Sequence, residues 1–390
     1  MSNKRDSIRI MHVFGAMNRG GAELRTLDVV RVLQHAPFHH DFCTLSGEPG
    51  VLEAEIRGLG GRVFPLPLGV GFPRTFARLL QDQHVDVVHS HVYLFSGALL
   101  ALAAGVGVRR RIAHFRATAP EQPGGWTRPL YELTMRKLIN HFATDILACG
   151  TAAMTEGWTR EWTKDGRCRV IHNGVDVQRF APFDTAAIRA TVRHELQVPP
   201  EGLMLLQVGR FATVKHQQRA VSILAELPEA YLVFAGRRDG PEAATTRQLV
   251  EDAGLSTRVH FLGDRDDVPR LLSGADVLLL TSLSEGLPGA LLEAIAAGTP
   301  FVASDVPGAR EILHALPDTG LIVPLAASDA VWAHSVRELS SKRNHPEWRA
   351  RARQQLAESV FSLDRAAAGH ADTWLKAHHH RPPFTGASSG

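Results

Sequence analysis

Disulfides, membrane-spanning runs and a strong charge of either sign are all missing from this chain. Its three cysteines, Cys43, Cys149 and Cys168, lie far apart and without C-x-x-C spacing. That excludes a disulfide framework or a cysteine-rich zinc site and suits a reducing cytoplasm. No run approaches the roughly 18 apolar residues of a membrane-crossing helix, so any membrane contact is expected to be peripheral. Met1 to Arg9 is polar and basic and lacks the apolar stretch of a secretory signal. Forty-three Lys and Arg against 40 Asp and Glu leave a net charge of +3. That is too little to indicate a nucleic-acid partner.

What is present is an ordinary globular composition, 390 residues of which 44% are hydrophobic. At about 150 residues per domain this allows two or three cores. The content of Ala, Arg and His suits GC-rich bacterial coding. Short apolar runs alternate with amphipathic stretches, the pattern of βα units feeding a parallel sheet covered on both faces. The first series of strand candidates is Ile8 to Phe14, Phe42 to Leu45, Arg62 to Leu66, Asp86 to His89, Arg111 to Phe115, Asp145 to Cys149 and Arg169 to Ile171. A second series runs Leu203 to Val208, Tyr231 to Ala235, Val259 to Leu262, Asp276 to Leu280, Phe301 to Ala303 and Leu321 to Val323. Between them Pro182, Pro199 and Pro200 mark a linker. The expected organisation is an N-terminal Rossmann-like domain over 1–180, a linker over 181–202 and a second Rossmann-like domain over 203–355. A C-terminal helix over 356–376 crosses back to the first domain, and a disordered tail over 377–390 carries solvated histidines. Two doubly wound domains then face each other across a cleft, and ligands sit at the carboxyl ends of their strands.

Three motifs carry chemistry. The small residues of the Gly15–Gly21 turn, Gly20 and Gly21 among them, bring backbone amides and a helix N-terminus within reach of a phosphate; a ligand-free tight turn is the alternative. At the end of the second domain's first strand stand Gly209, Arg210 and Lys215. A planar fork and a point charge five residues apart can hold one diphosphate, or be a solvated helix start. The third motif joins Glu285 to Glu293 through Gly286, Leu287, Pro288, Gly289, Ala290, Leu291 and Leu292. A loop carboxylate and a helix carboxylate flank one helix N-terminus, so they can accept from sugar hydroxyls while its amides take a phosphate. Metal binding by the pair, or plain solvation, remains open.

These segments together, Gly20-Gly21-Ala22-Glu23, His172-Asn173-Gly174-Val175-Asp176, Val208-Gly209-Arg210 with Lys215, and Ser284-Glu285 to Glu293, resemble glycosyltransferase family 4. The likeness runs from about residue 8 to 375. It implies the GT-B architecture and a retaining transfer of a sugar from a nucleoside diphosphate donor, with no cofactor and no required metal. By the same resemblance Arg210 and Lys215 neutralise the diphosphate, Glu293 holds the ribose hydroxyls and Glu285 contacts the donor sugar. Gly20 and Gly21 face the phosphates, and His114 stands near the reacting carbon. Two positions depart from the family pattern: Phe115-Arg116-Ala117 follows His114, and His216 stands where glycine usually follows the lysine.

Other features weigh less. Asp264-Arg265-Asp266 reads as D-x-D but precedes a short helix, where N-capping and solvation are expected. His89 and His91 share a strand face without a visible third ligand, which favours packing over metal. The acceptor is expected to meet N-domain loops, including Arg116 to Arg128 with its prolines, glycines and Trp126. The helix Pro129 to Phe142 with Arg136 and Lys137 is a candidate surface for anionic lipid, or a solvated face. Expected partners are therefore a nucleotide sugar, of UDP or GDP type, and a hydroxyl acceptor on a polysaccharide or lipid-linked glycan. The alternative acceptor is a soluble small molecule such as an aminocyclitol. A sugar-nucleotide epimerase shares the architecture. The oligomeric state has no signature in the sequence.

Overall fold

The computed structural model describes residues 7–117, 128–238 and 240–377. Seven parallel strands form the first sheet: β1 (Ile8–Phe14), β2 (Phe38–Thr44), β3 (Val63–Pro65), β4 (Val87–Ser90), β5 (Arg110–Phe115), β6 (Asp145–Ala148) and β7 (Cys168–Val170). Six form the second: β8 (Leu203–Val208), β9 (Ala230–Ala235), β10 (Val259–Gly263), β11 (Val277–Leu280), β12 (Phe301–Ser304) and β13 (Gly320–Val323). The strand orders are β3-β2-β1-β4-β5-β6-β7 and β10-β9-β8-β11-β12-β13. In both sheets the order therefore reverses beside the first strand, between β1 and β4 and between β8 and β11. Loops leaving the sheet on either side of such a switch point diverge and open a crevice. The Gly15–Gly21 turn leaves β1, the Gly209–Lys215 turn leaves β8 and the Glu285 loop leaves β11, so the three motifs stand at the two switch points.

The strands read as nearly unbroken apolar runs because both faces are covered. Met11 and Val13 are fully buried on one face of β1, and Ile8 and Ile10 on the other. Leu205, Leu206, Leu278 and Leu279 do the same in the second sheet.

The segment expected to be a linker is only partly one. Its helix Ala186–Glu195 packs on the second domain, with Val192 buried. A Cβ on Gly274 would lie 3.0 Å from Val192 Cβ. Arg193 ties the helix down, donating to Asp276 Oδ2 at 3.0 Å. The tether proper is the short run of 3-10 turns from Val177 to Phe183. Just beyond it Asp184 accepts from Arg349 at 3.0 Å and pairs with Arg353 at 2.7 Å. The C-terminal helix expected over 356–376 is not continuous: the helix Pro346–Glu358 ends inside that span and a second helix runs Leu363–Leu375. The break falls at Ser362, whose side chain caps the second helix by accepting from the backbone of Arg365. That last helix does cross back, burying Leu363, Ala366 and Trp374 against Ile8, Ile10 and Val29 of the first domain. Ala377, placed by the sequence in the tail, is buried in the same cluster; residues 378–390 lie outside the described residues. Among the described residues no helix is long and apolar enough to cross a membrane.

Candidate active site

Each lobe contributes one set of groups. On the second domain β8 ends at Gly209, whose φ of +147° a side chain would strain. The chain then turns sharply through Thr213–Lys215 and enters the helix Gln217–Ala225. Gln207 and Thr281, both buried at the strand ends, bond the carbonyl of Lys215 at 3.2 Å each. This pins the turn, and Lys215 Nζ meets Glu285 Oε1 at 2.6 Å. Ser282 donates to the same oxygen at 2.7 Å. Lys215 and Glu285, 70 residues apart in sequence, are thus one constellation, and Arg210 stands exposed at the mouth of the same turn. The expected helix begins at Gly289, so Glu285 to Pro288 form the loop before it, and Glu293 falls in its second turn. Leu287, Leu291 and Leu292 are buried and seat this helix.

On the first domain Gly20 is the extended residue before the helix Gly21–Val32. Glu23 folds back over that helix's first turn, taking a hydrogen bond from its own backbone N–H. Burial pushes its carboxyl up, against the pull of Arg116, Arg237 and Arg210. Further along, Arg25 donates to Glu293 Oε1 at 2.9 Å. This pair crosses from one domain to the other, and Arg25 also holds Asp28 and the carbonyl of Gly174. Burial raises the Glu293 carboxyl despite the adjacent Arg25. A second cross-domain contact joins Glu311 to His172 at 2.7 Å and to the Thr151 hydroxyl at 2.9 Å. Burial pushes the Glu311 carboxyl up, but these bonds outweigh it and hold it below the usual range. The D-x-D acids act across the cleft too: Arg19 lies 3.9 Å from Asp264 and 3.7 Å from Asp266. No side-chain cap is made at Asp267, which instead pairs with Arg265 and Arg270. The cleft is closed in this structure.

His114 is placed elsewhere than expected. It is 1% exposed and faces the C-terminal helix rather than the cleft, because Ile112 and His114 share one face of β5. Two residues on, past the strand end, half-buried Arg116 donates to His91, Asn173 and Thr26. Sequence reading also missed the company His114 keeps. His12, His40, His89, His91 and His370 are all buried beside it, with Trp374. The signal available was His370 and Trp374 one helical turn apart on the same helix face.

Two triples in this cluster, His12-His89-His91 and His89-His114-His370, bring nitrogens within 4.8 Å of one another. The donor set does not fit a cation. Arg116 Nε donates to His91 Nδ1 at 3.4 Å and Trp374 Nε1 to His89 Nδ1 at 3.3 Å. Neither donor has a lone pair. Both imidazoles must therefore carry their proton on Nε2, the nitrogen that would have to be bare to bind a metal through it. Instead His91 donates to His12 at 3.3 Å and His12 to His40 at 3.1 Å, while His89 donates to His114 at 3.0 Å.

Two Rossmann-like domains thus meet at a cleft with cations and two carboxylates at the strands' carboxyl ends, where such folds bind ligands. Comparison with known proteins agrees. A family model described as Glycosyltransferase Family 4 matches residues 19–179, and one described as Glycosyl transferases group 1 matches residues 189–356. EpsF of Bacillus subtilis (strain 168), named as a glycosyltransferase, is 31% identical over 340 residues, covering 84% of this chain and 86% of that protein. The capsular polysaccharide biosynthesis glycosyltransferase CapH of Staphylococcus aureus is 27% identical over 345 residues, covering 87% and 92%. The crystal structure of Anabaena HepE in complex with UDP-glucose shares the fold, with a TM-score of 0.78 at 19% identity over 95% of this chain and all of that one. The chain belongs to glycosyltransferase family 4 and is a glycosyltransferase of GT-B architecture. The epimerase reading falls with that assignment.

Proposed function

We propose that the enzyme moves a sugar, with retention, from a nucleoside diphosphate donor of UDP or GDP type to a hydroxyl of a polysaccharide or lipid-linked glycan. The observation that carries this is the Lys215–Glu285 pair at the second sheet's switch point, 2.6 Å apart, with Arg210 in the turn that leads to Lys215. The bond from the anomeric carbon to the diphosphate breaks and one to the acceptor oxygen forms. The acceptor proton leaves with the departing diphosphate. Negative charge grows on that diphosphate only as the bond breaks, so fixed cations and helix-terminal amides favour the transition state over the ground state. Glu285, held by Lys215 and Ser282, takes the sugar hydroxyls, and Glu293, oriented by Arg25, takes the ribose. None of these roles routes through a metal.

The donor class draws support from HepE, whose structure holds UDP-glucose, and the glycan acceptor from the name of CapH. Membrane contact draws support from the helix Arg128–Phe142. It exposes Leu130 by 70% and Leu133 by 52% beside Lys137, an apolar and basic face suited to an anionic leaflet. The acceptor loop expected over 116–128 lies mostly in 118–127, outside the described residues. A thermal-shift screen of UDP, GDP and their sugar conjugates tests the donor reading, since a ligand bound only by the native state raises the melting point. No shift with any nucleotide defeats it. Flotation with anionic vesicles tests the acceptor side; a protein that stays at the bottom of the gradient favours a soluble acceptor.

A further inference from the structure

Arginine side chains in protein interiors are ordinarily matched by carboxylates, because a buried cation without one is costly. Half-buried Arg116 has no carboxylate within hydrogen-bond distance among the described residues, and feels Glu23 only through space. Its three hydrogen-bonded partners are all uncharged: the ring nitrogen of His91, the amide oxygen of Asn173 at 2.7 Å and the hydroxyl of Thr26 at 3.1 Å. Burial pulls the guanidinium down to about 10, so it stays charged at neutral pH. The imidazoles behind it cannot swing away, because each is fixed by the next in the chain from His91 through His12 to His40. The side chain is thus caged by neutral acceptors that orient the fork without cancelling its charge.

The cage lies at the domain boundary: Thr26, which it includes, follows Arg25, and Arg25 reaches Glu293 of the other domain. A Cβ on Gly286, in the loop carrying Glu285, would lie 3.0 Å from the carbonyl oxygen of Arg116 and 3.3 Å from Cα of Ala117. The end of β5 therefore abuts the sugar-binding loop of the other domain. The Glu23 carboxylate, set over its helix N-terminus, feels Arg116 from one lobe together with Arg210 and Arg237 from the other. Cations of both lobes therefore stand around the Glu23 carboxylate.

We propose that Arg116 is the first domain's counterpart to the Arg210–Lys215 pair: its guanidinium binds an oxyanion, phosphate or carboxylate, of a substrate held in the closed cleft. The proposal rests on the donor reading above and extends it to the first domain. The oxyanion has two sources, the donor's diphosphate or an acidic group on the acceptor. Arg116 holds it with a planar fork, which lysine does not reproduce.

The test compares wild type with Arg116→Gln and Arg116→Lys. UDP and GDP are titrated by calorimetry, and inorganic phosphate is then titrated into protein saturated with the nucleotide that binds. Nucleotide affinity at least tenfold weaker in Arg116→Gln and at least threefold weaker in Arg116→Lys places the diphosphate on Arg116. Unchanged nucleotide affinity, with phosphate binding to the wild-type complex and lost in both variants, places an acceptor anion there. Unchanged affinity for nucleotide and for phosphate in a folded Arg116→Gln protein overturns the proposal and leaves the donor reading standing. If Arg116→Gln does not fold, the same unchanged result in Arg116→Lys overturns it. Wild-type protein that binds neither UDP nor GDP overturns both.

Discussion

Arg25 of the first domain donates to Glu293 of the second at 2.9 Å, so the carboxylate assigned to the ribose is oriented by a residue of the opposite lobe. Its side chain is 4% exposed and that of Glu293 16%, and the pair forms only when the domains meet. On the proposed reading, in which Glu293 holds the ribose, nucleotide binding and closure are expected to be coupled, since the bound ribose favours the arrangement in which Arg25 reaches Glu293. Removing one partner of a buried pair leaves an unmatched charge, which costs about 3 kcal/mol. Arg25→Ala is therefore expected to lower the urea midpoint and to weaken nucleotide binding together. A variant with the wild-type midpoint and wild-type affinity would rule the coupling out.

Lys215 sits 2.6 Å from Glu285, so on the proposed reading it serves two charges, the diphosphate and the carboxylate that meets the sugar. Its loss weakens transition-state stabilisation and frees Glu285 to turn. Lys215→Ala is expected to reduce turnover at least about tenfold, on the order of 1.4 kcal/mol of barrier. Initial rates on a folded variant measure it, and an unaltered rate excludes the role. Glu293→Ala, by contrast, is expected to act chiefly on nucleotide affinity.

The residue after Lys215 explains why glycine suits that place. His216 has φ +48° and ψ +48°, the left-handed region that disfavours any residue with a Cβ by about 1–2 kcal/mol. Its Nδ1 is also buried without a partner. Its backbone carbonyl, which accepts from Thr281 at 2.9 Å, is available to any residue. His216→Gly is expected to stabilise the protein by about 0.5–1 kcal/mol, part of the relief being offset by the freer unfolded chain. A lower melting temperature would refute the strain argument.

The fold was legible wherever burial left an apolar run. β1 and β8 have the bounds their sequences suggest, because both faces of a central parallel strand demand hydrophobic residues. β2 begins at Phe38 rather than Phe42 because His39, His40 and Asp41 look polar in sequence while His40 and Asp41 are buried in the sheet. In the second domain local spacing set only the pieces, Arg210 and Lys215 in one turn and Glu285 and Glu293 around one helix start; that Lys215 meets Glu285, 70 residues on, was not legible. Nor was the first-domain site. Where the side chains of His114 and Arg116 lie depends on tertiary packing, and Glu293 lies 268 residues from Arg25, Asn173 57 from Arg116 and His172 139 from Glu311. The bend at Ser362 that delivers His370 and Trp374 to the N-domain sheet is likewise a tertiary event, marked locally only by a serine cap.

The histidine cluster sets the acid limit of stability. Burial first, and then neighbouring imidazoles and Arg116, pushes His12, His89, His91 and His114 well below the usual value. His40 and His370 are pushed down to about 3. In the unfolded chain each titrates near 6.5. Between about pH 3 and 6.5 the unfolded state therefore binds protons that the native state refuses, and stability falls as pH falls, by up to ~1.4 kcal/mol per pH unit for each histidine. Above 6.5 this contribution is complete and flat. Glu23 and Glu293, whose carboxyls burial raises, work in the opposite sense, but they are two groups against six. Burial pushes Asp41 up, yet hydrogen bonds from His39 and Arg62 outweigh it and hold it at about 2. Its own stabilising contribution is therefore lost only below the ordinary carboxylate range, and the histidines govern the slope above it. Urea unfolding at pH 7.5, 6.0 and 5.0 is expected to show a steep loss below 6.5, and His370→Gln to make that slope shallower. A midpoint that stays constant from pH 7.5 to 5.0 would mean that the imidazoles are hydrated and protonate freely, and the neutral cage around Arg116 would be lost with that result.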